Sequence, residues 1–229
     1  MKKVKLITVS GPPSSGKTAV ILTLIRELPE YKIAVVKFDC MTSFDQEQYE
    51  AEGVKVVVGY AGKLCPDHFF VTNVQEAFDW AKREGFDLLI TESAGLCNRC
   101  SPHIRGILAV CVIDNLAGIN TPRKIGPVLR MADIVAVTKG DIVSQAEREV
   151  FAYNIRMMNP NATLLRVNGI TGQGAYLLAK AARKARDVET LSGMQLRFTT
   201  PSSVCAYCTG EKSIGMEFQL GMSRPMEFK

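Results

Sequence analysis

The residues GPPSSGKT at 11–18 carry the strongest chemical signal in the chain. Gly11 and Gly16 permit a tight backbone path, and successive N–H groups in such a loop can surround phosphate oxygens. The motif follows an apolar run and opens a helical pattern, so the positive end of a helix adds to the anion site. Lys17 is expected to reach the β- and γ-phosphates, and Thr18 to supply a Mg²⁺ ligand. Pro12, Pro13, Ser14 and Ser15 complete the expected nucleotide-contacting loop. Two carboxylates end apolar runs: Asp39 after IAVVKF and Glu92 after DLLIT. In an open α/β sheet, ligands bind beyond the carboxyl ends of the strands, which places both beside the phosphates as ligands of Mg²⁺ or of its waters. Lys17, Asp39 and Glu92 are therefore the expected catalytic set for nucleoside triphosphate hydrolysis.

A second set of residues bears on the base and on metals. TKGD at 138–141 follows the run IVAV and resembles the [NT]KxD guanine-recognition motif of GTPases. Asp141 would accept hydrogen bonds from guanine N1 and N2, and Lys139 would lay its stem over the base. Thr in place of the commoner Asn leaves ATP open beside GTP. Four of the seven cysteines form CxxC pairs, Cys97 with Cys100 and Cys205 with Cys208, which points to metal or redox chemistry. Cys40 and Cys111 read as small buried hydrophobes.

These residues need a scaffold that brings strand ends together. Apolar runs at 5–10, 33–38, 54–59, 88–91, 107–113, 134–138 and 163–167 read as strands covered on both faces. Helical patterns at 17–28, 74–84, 144–157 and 174–186 lie between them. The alternation predicts an α/β fold: a P-loop NTPase with a doubly wound, mainly parallel sheet and helices on both faces. Composition changes near residue 188, so residues 1–187 are expected to form the nucleotide domain and 188–229 a short appendage. That appendage is too small for its own core and needs the main domain, a metal or a partner to order it. Charge is modest at +5 without a long basic run, so nucleic acid is not expected as a partner. No apolar run approaches the roughly 20 residues of a membrane span. Neither does the N-terminus read as a signal peptide, and reduced cysteines fit a cytoplasmic location.

Taken in order, GPPSSGKT, GKLCPDH, ESAG, TKGD and NGITGQG resemble the nickel-delivering GTPases that mature hydrogenase and urease, over about residues 4–186. The resemblance implies a homodimer that closes around nucleotide and a metal held by Cys and His from both subunits. It also implies a client metalloenzyme or its assembly proteins as partner. Cys65 and His68 in CPDH match the metal-binding segment, although His68 is displaced by two residues from the position beside the Cys. Cys97 and Cys100 lie where hydrogenase-type members carry a further metal Cys, and His103 adds a possible imidazole. Asn168 and Gly169 in NGITGQG match the loop whose backbone meets the base. The long His-rich tail that some members use for nickel storage is absent, and Cys205 and Cys208 have no counterpart in the family. With two His in all, Ni²⁺, Zn²⁺ and a 4Fe–4S cluster all stay open as the metal group. The leading expectation is a GTP-driven metallochaperone or maturation factor. The alternatives are a nucleotide-driven iron–sulfur redox partner, a metal-free regulatory GTPase and a small-molecule kinase.

Overall fold

The computed structural model describes residues 2–41, 45–95, 100–198, 212–218 and 224–228. Within these residues the strands are β1 (Val4–Ser10), β2 (Ile33–Asp39), β3 (Lys55–Tyr60), β4 (Leu88–Ser93), β5 (Leu108–Asp114), β6 (Ile134–Thr138), β7 (Thr163–Arg166) and β8 (Asp187–Val188). The helices are α1 (Lys17–Arg26), α2 (Asp45–Ala51), α3 (Pro66–Arg83), α4 (Thr121–Lys124), α5 (Pro127–Arg130), α6 (Gln145–Met158) and α7 (Ala175–Lys184). The sheet order is β3-β2-β4-β1-β5-β6-β7, and these neighbours are all parallel. β8 pairs antiparallel with the start of β1, joining Val4 to Val188.

Alternate residues of each central strand serve opposite faces. On one face Ile7, Val9, Leu88 and Ile90 meet Val20, Ile21 and Leu24 of α1 and Leu178 of α7. On the other, Leu6, Val36, Phe38 and Leu89 meet Phe70, Val74 and Phe78 of α3. Further along that second face, Cys111, Ile113 and Val135 meet Phe151 and Ile155 of α6. The sheet is thus wound on both sides, as the apolar runs require.

α3 begins eight residues before the apolar periodicity does. Pro66 occupies its first turn with Asp67, and Cys65 caps it. Proline costs nothing at a position whose N–H has no helical partner, and an acid there meets the positive helix end. α6 starts as its sequence predicts, with a capping box between Ser144 and Glu147.

The described residues beyond 188 lie against the α3 face. Val188, Leu191, Leu196, Ile214 and Met226 are buried in the same cluster as Phe70 and Phe78. Asn73 of α3 clamps the chain near its end: Nδ2 donates to the Arg224 carbonyl at 3.1 Å, and the Met226 N–H donates to Oδ1 at 2.7 Å. Phe228 stacks at 5.6 Å from Trp80.

Candidate functional site

The 11–18 loop leaves β1 at the centre of the sheet, where strand order reverses from β4 to β5. A methyl group on Gly11 would collide with the Val112 carbonyl, and Gly16 adopts φ 86 at the start of α1. Glycine is the residue that fits both positions. Gly95 presses from the other side, because a methyl group there would meet the Gly11 carbonyl. The loop's own carbonyls are taken by side chains. Lys17 Nζ donates to the carbonyls of Gly11 (3.1 Å) and Pro12 (2.9 Å). Lys139 Nζ donates to Ser14 at 2.7 Å, and Thr138 Oγ1 to Ser15 at 2.7 Å. The N–H groups of the first turn of α1 have no helical acceptor, so the loop offers donors to an anion. Thr138 also explains the unusual first letter of TKGD, since its hydroxyl ties β6 to the loop.

A cavity of about 550 Å³ opens over this loop. Lys17 and Thr18 from the first turn of α1, with Asp39 of β2 and Glu92 of β4, all line it. Glu92 is buried and heavily used. It accepts from Thr18 Oγ1 at 3.0 Å, Tyr49 Oη at 2.7 Å and Lys37 Nζ at 3.1 Å. Asp39 accepts from the Cys40 N–H at 2.7 Å and lies 3.5 Å from Lys37 Nζ. Asp45, at the start of α2, also pairs with Lys37. Burial works against the Lys37 charge, but Glu92 and Asp45 outweigh it and hold its pKa above the usual lysine value. At Lys17 burial wins and lowers the pKa. The hydroxyl of Thr18 with the carboxylates of Asp39 and Glu92 is a hard, all-oxygen donor set, which fits Mg²⁺. Cys40 is half-buried and lines the same cavity, whereas a buried position is expected from its sequence. It lies just past the end of β2, where the strand's cover stops. Cys111 is buried as expected, with its thiol pushed up to about 12 by burial.

A second cleft of about 310 Å³ adjoins the first along Gly16 and Ala19. Lys139, Asp141, Asn168 and Gly169 line it. Asn168 Oδ1 accepts from the N–H groups of Ile170 (2.9 Å) and Thr171 (3.0 Å), so this side chain shapes its own loop. Gly169 lies against Ala19, within 2.7 Å of where its Cβ would stand. Ile142 and Ile170, which sequence patterning gave no reason to select, are 62% and 87% exposed in this cleft. Two such apolar side chains in one cleft suit contact with an apolar ligand face.

Next to the phosphate cavity lies a thiol site. The ligand atoms of Cys65, Asp67 and Cys100 lie within 4.8 Å of one another. Asp67 is the member that sequence reasoning missed. Its Oδ1 accepts from Ser93 Oγ at 2.7 Å and its Oδ2 from Cys100 Sγ at 3.0 Å. Burial raises the Asp67 pKa, and the hydrogen bonds of Cys100 and Ser93 oppose this. The hydrogen bond with Cys100 brings the Cys65 thiol down to about 7, while the same contact and burial push Cys100 up. Two soft sulfurs and one carboxylate suit a borderline metal such as Zn²⁺ or Ni²⁺. His68 is buried in the first turn of α3 but is not a member of this group. His103 lies elsewhere: it is buried, its Nδ1 is 3.0 Å from Thr8 Oγ1, and burial lowers its pKa to about 3. Cys97, Cys205 and Cys208 lie outside the described residues.

The Cys65 shift is directly testable. Iodoacetamide at a series of pH values, followed by peptide mass mapping, should alkylate Cys65 at a lower pH than an ordinary thiol. Burial and Asp39 raise the Cys40 thiol, so Cys40 should react only in more alkaline solution. Equal rates at the two sites below pH 8 would contradict the thiol geometry described above.

Known proteins share this fold and its sequence pattern. A relative from Methanocaldococcus jannaschii, itself uncharacterised, is 45% identical over 226 residues, spanning 98% of this chain and 97% of its own. The hydrogenase maturation factor HypB from Archaeoglobus fulgidus superposes with TM-score 0.63 at 22% identity, over 79% of this chain and 89% of that one. HypB from Helicobacter pylori, solved in complex with nickel, gives TM-score 0.62 at 20% identity over 82% and 91%. The order of the motifs, the doubly wound sheet and a match of residues 5–166 to the family's own sequence profile lead to one assignment: the chain belongs to the CobW/HypB/UreG family of nucleotide-binding domains, with a P-loop NTPase fold.

Proposed function

We propose that this protein is a GTP-hydrolysing metallochaperone or maturation factor, in which nucleotide state controls how tightly a transition metal is held for delivery to a metalloenzyme. Lys17 and the 11–18 loop bind the triphosphate, and Thr18, Asp39 and Glu92 hold Mg²⁺ and place the attacking water. Asp141, Lys139 and the 168–169 loop select guanine. Cys65 and Cys100 hold the cargo metal, with Asp67 as a carboxylate partner. His68, Cys97, Cys205 and Cys208 remain further candidate ligands, the two last on an appendage of the nucleotide domain. The working form is a cytoplasmic homodimer.

One observation carries this reading. Glu92, which holds Thr18, is followed in β4 by Ser93, which donates to Asp67, which accepts from Cys100. A shift of Glu92 when Mg²⁺-nucleotide takes Thr18 would move Ser93 and change what Asp67 offers the thiol. That is the kind of discrete switch element that couples two sites. The nickel-bound HypB neighbour supports nickel as a cargo to test beside zinc.

The test is equilibrium binding of Ni²⁺ and Zn²⁺ with a non-hydrolysable GTP analogue, with GDP and without nucleotide. At least a roughly fivefold affinity difference between nucleotide states is expected. Ser93→Ala should flatten that difference, and Cys65→Ala with Cys100→Ala should weaken binding in every state. Identical affinities in all three states would refute the coupling. Iron and sulfide in anaerobically purified protein would instead favour the redox-partner reading.

A further inference from the structure

Lys37 lines the phosphate cavity, and the chemistry assigned so far gives it no role. It sits in the middle of β2, in a run otherwise apolar, and is directly in register with Glu92 on β4. A buried lysine in a sheet is costly unless its charge is paired. Here the ammonium is paired three times over: with Glu92 at 3.1 Å, with Asp39 at 3.5 Å and with Asp45. Two of these, Glu92 and Asp39, are the carboxylates of the oxygen set that fits Mg²⁺. The third oxygen of that set, the Thr18 hydroxyl, donates to the same Glu92 at 3.0 Å. The ammonium therefore stands within the donor set that a dication would use.

We propose that Lys37 is a built-in counter-cation that keeps the divalent-metal site closed until a triphosphate arrives. This rests on the nucleotide-binding reading above and adds a residue and an order of events to it. Before nucleotide binds, Lys37 and Lys17 offset all but one of the negative charges of Glu92, Asp39 and Asp45. A bare dication entering that set meets a fixed positive charge a few ångströms away, in a partly buried site where such repulsion is weakly screened. A dication carried in on a triphosphate brings negative charge of its own, and the phosphate oxygens give the displaced ammonium a new partner in the same cavity. Mg²⁺ thus binds with nucleotide and not before it. Lys37 acts as a positioning residue, through the carboxylates it holds.

Manganese titration followed by electron paramagnetic resonance reads this out without any turnover. Wild-type protein free of nucleotide should bind Mn²⁺ weakly, and Lys37→Met should bind it at least about tenfold more tightly. Lys37→Arg keeps the charge and should stay weak. If Lys37→Met does not fold, as judged by circular dichroism, Lys37→Gln removes the charge while keeping a hydrogen-bond donor for Glu92. The inference is overturned if the neutral variants bind Mn²⁺ no better than wild type, or if Lys37→Arg binds it as tightly as they do. A parallel titration with a fluorescent GTP analogue separates the two levels. Failure of wild type to bind the analogue would refute the nucleotide reading, whatever the manganese result.

Discussion

Lys17→Ala should lower triphosphate affinity by at least about 100-fold and phosphate release by about 1,000-fold or more. Lys17 is buried at the root of the loop, and its ammonium rests on the carbonyls of Gly11 and Pro12. Those are neutral acceptors, so the charge is only partly compensated there, and burial lowers its pKa. Transfer of the ammonium to a charged phosphate exchanges ordinary hydrogen bonds for charge-assisted ones, which are roughly twice as strong. The loop is also tied at two other points, where Lys139 and Thr138 donate to Ser14 and Ser15. Removing Lys17 also removes an incompletely paired buried charge, so the thermal midpoint should stay within a few degrees of wild type. The informative pattern is lost binding with retained stability, followed with a fluorescent nucleotide and by thermal unfolding. Binding within about threefold of wild type would mean that this loop is not the phosphate site.

The parts of this molecule that sequence makes legible are those governed by short-range rules. Strands covered on both faces run mostly apolar, and β5 and β6 are apolar up to their last residue. The 11–18 loop needs glycine where a methyl group would strike Val112, and that requirement is written in the motif. What escapes is set by distant contacts. The first two turns of α3 fall outside the helical pattern at 74–84 because Pro66, Asp67 and His68 break the apolar period, yet all three are buried. Asp67 gains its meaning from Ser93 and Cys100, which arrive from β4 and the segment after it. Lys37 looks like an interruption of a strand until the fold places three carboxylates around it. A lysine inside an otherwise apolar run is the one signal that could have exposed it. His103 shows the reverse error: it stands three residues from Cys100, but the chain turns it into the core against Thr8. The described residues after 188 show no periodicity because they meet α3 as irregular segments, one anchor at a time.

Asp141→Asn should invert base preference, costing GTP at least about 100-fold in affinity and making xanthosine triphosphate the better ligand. A carboxylate has only acceptors, and guanine presents donors at N1 and at the amino group on C2. Asparagine keeps one acceptor but adds an N–H₂ group, which faces the guanine amino group donor to donor. Xanthine carries an oxygen at that carbon and restores the pair. Unpaired polar groups in a confined site are what make such discrimination large, up to about 10⁴–10⁵ in the best cases. The remainder of the cleft is apolar support that the substitution leaves alone. Ile142 and Ile170 flank it, and the Lys139 stem is fixed at its far end by Ser14. Ring stacking should therefore persist, and loss of GTP binding would report the hydrogen bonds and not a collapsed pocket. Competition among GTP, ATP and xanthosine triphosphate on wild type and variant decides the matter. Equal affinity of wild type for GTP and ATP would remove Asp141 from base selection. A variant that lost all three nucleotides alike would show that this carboxylate supports the loop between β6 and α6 instead.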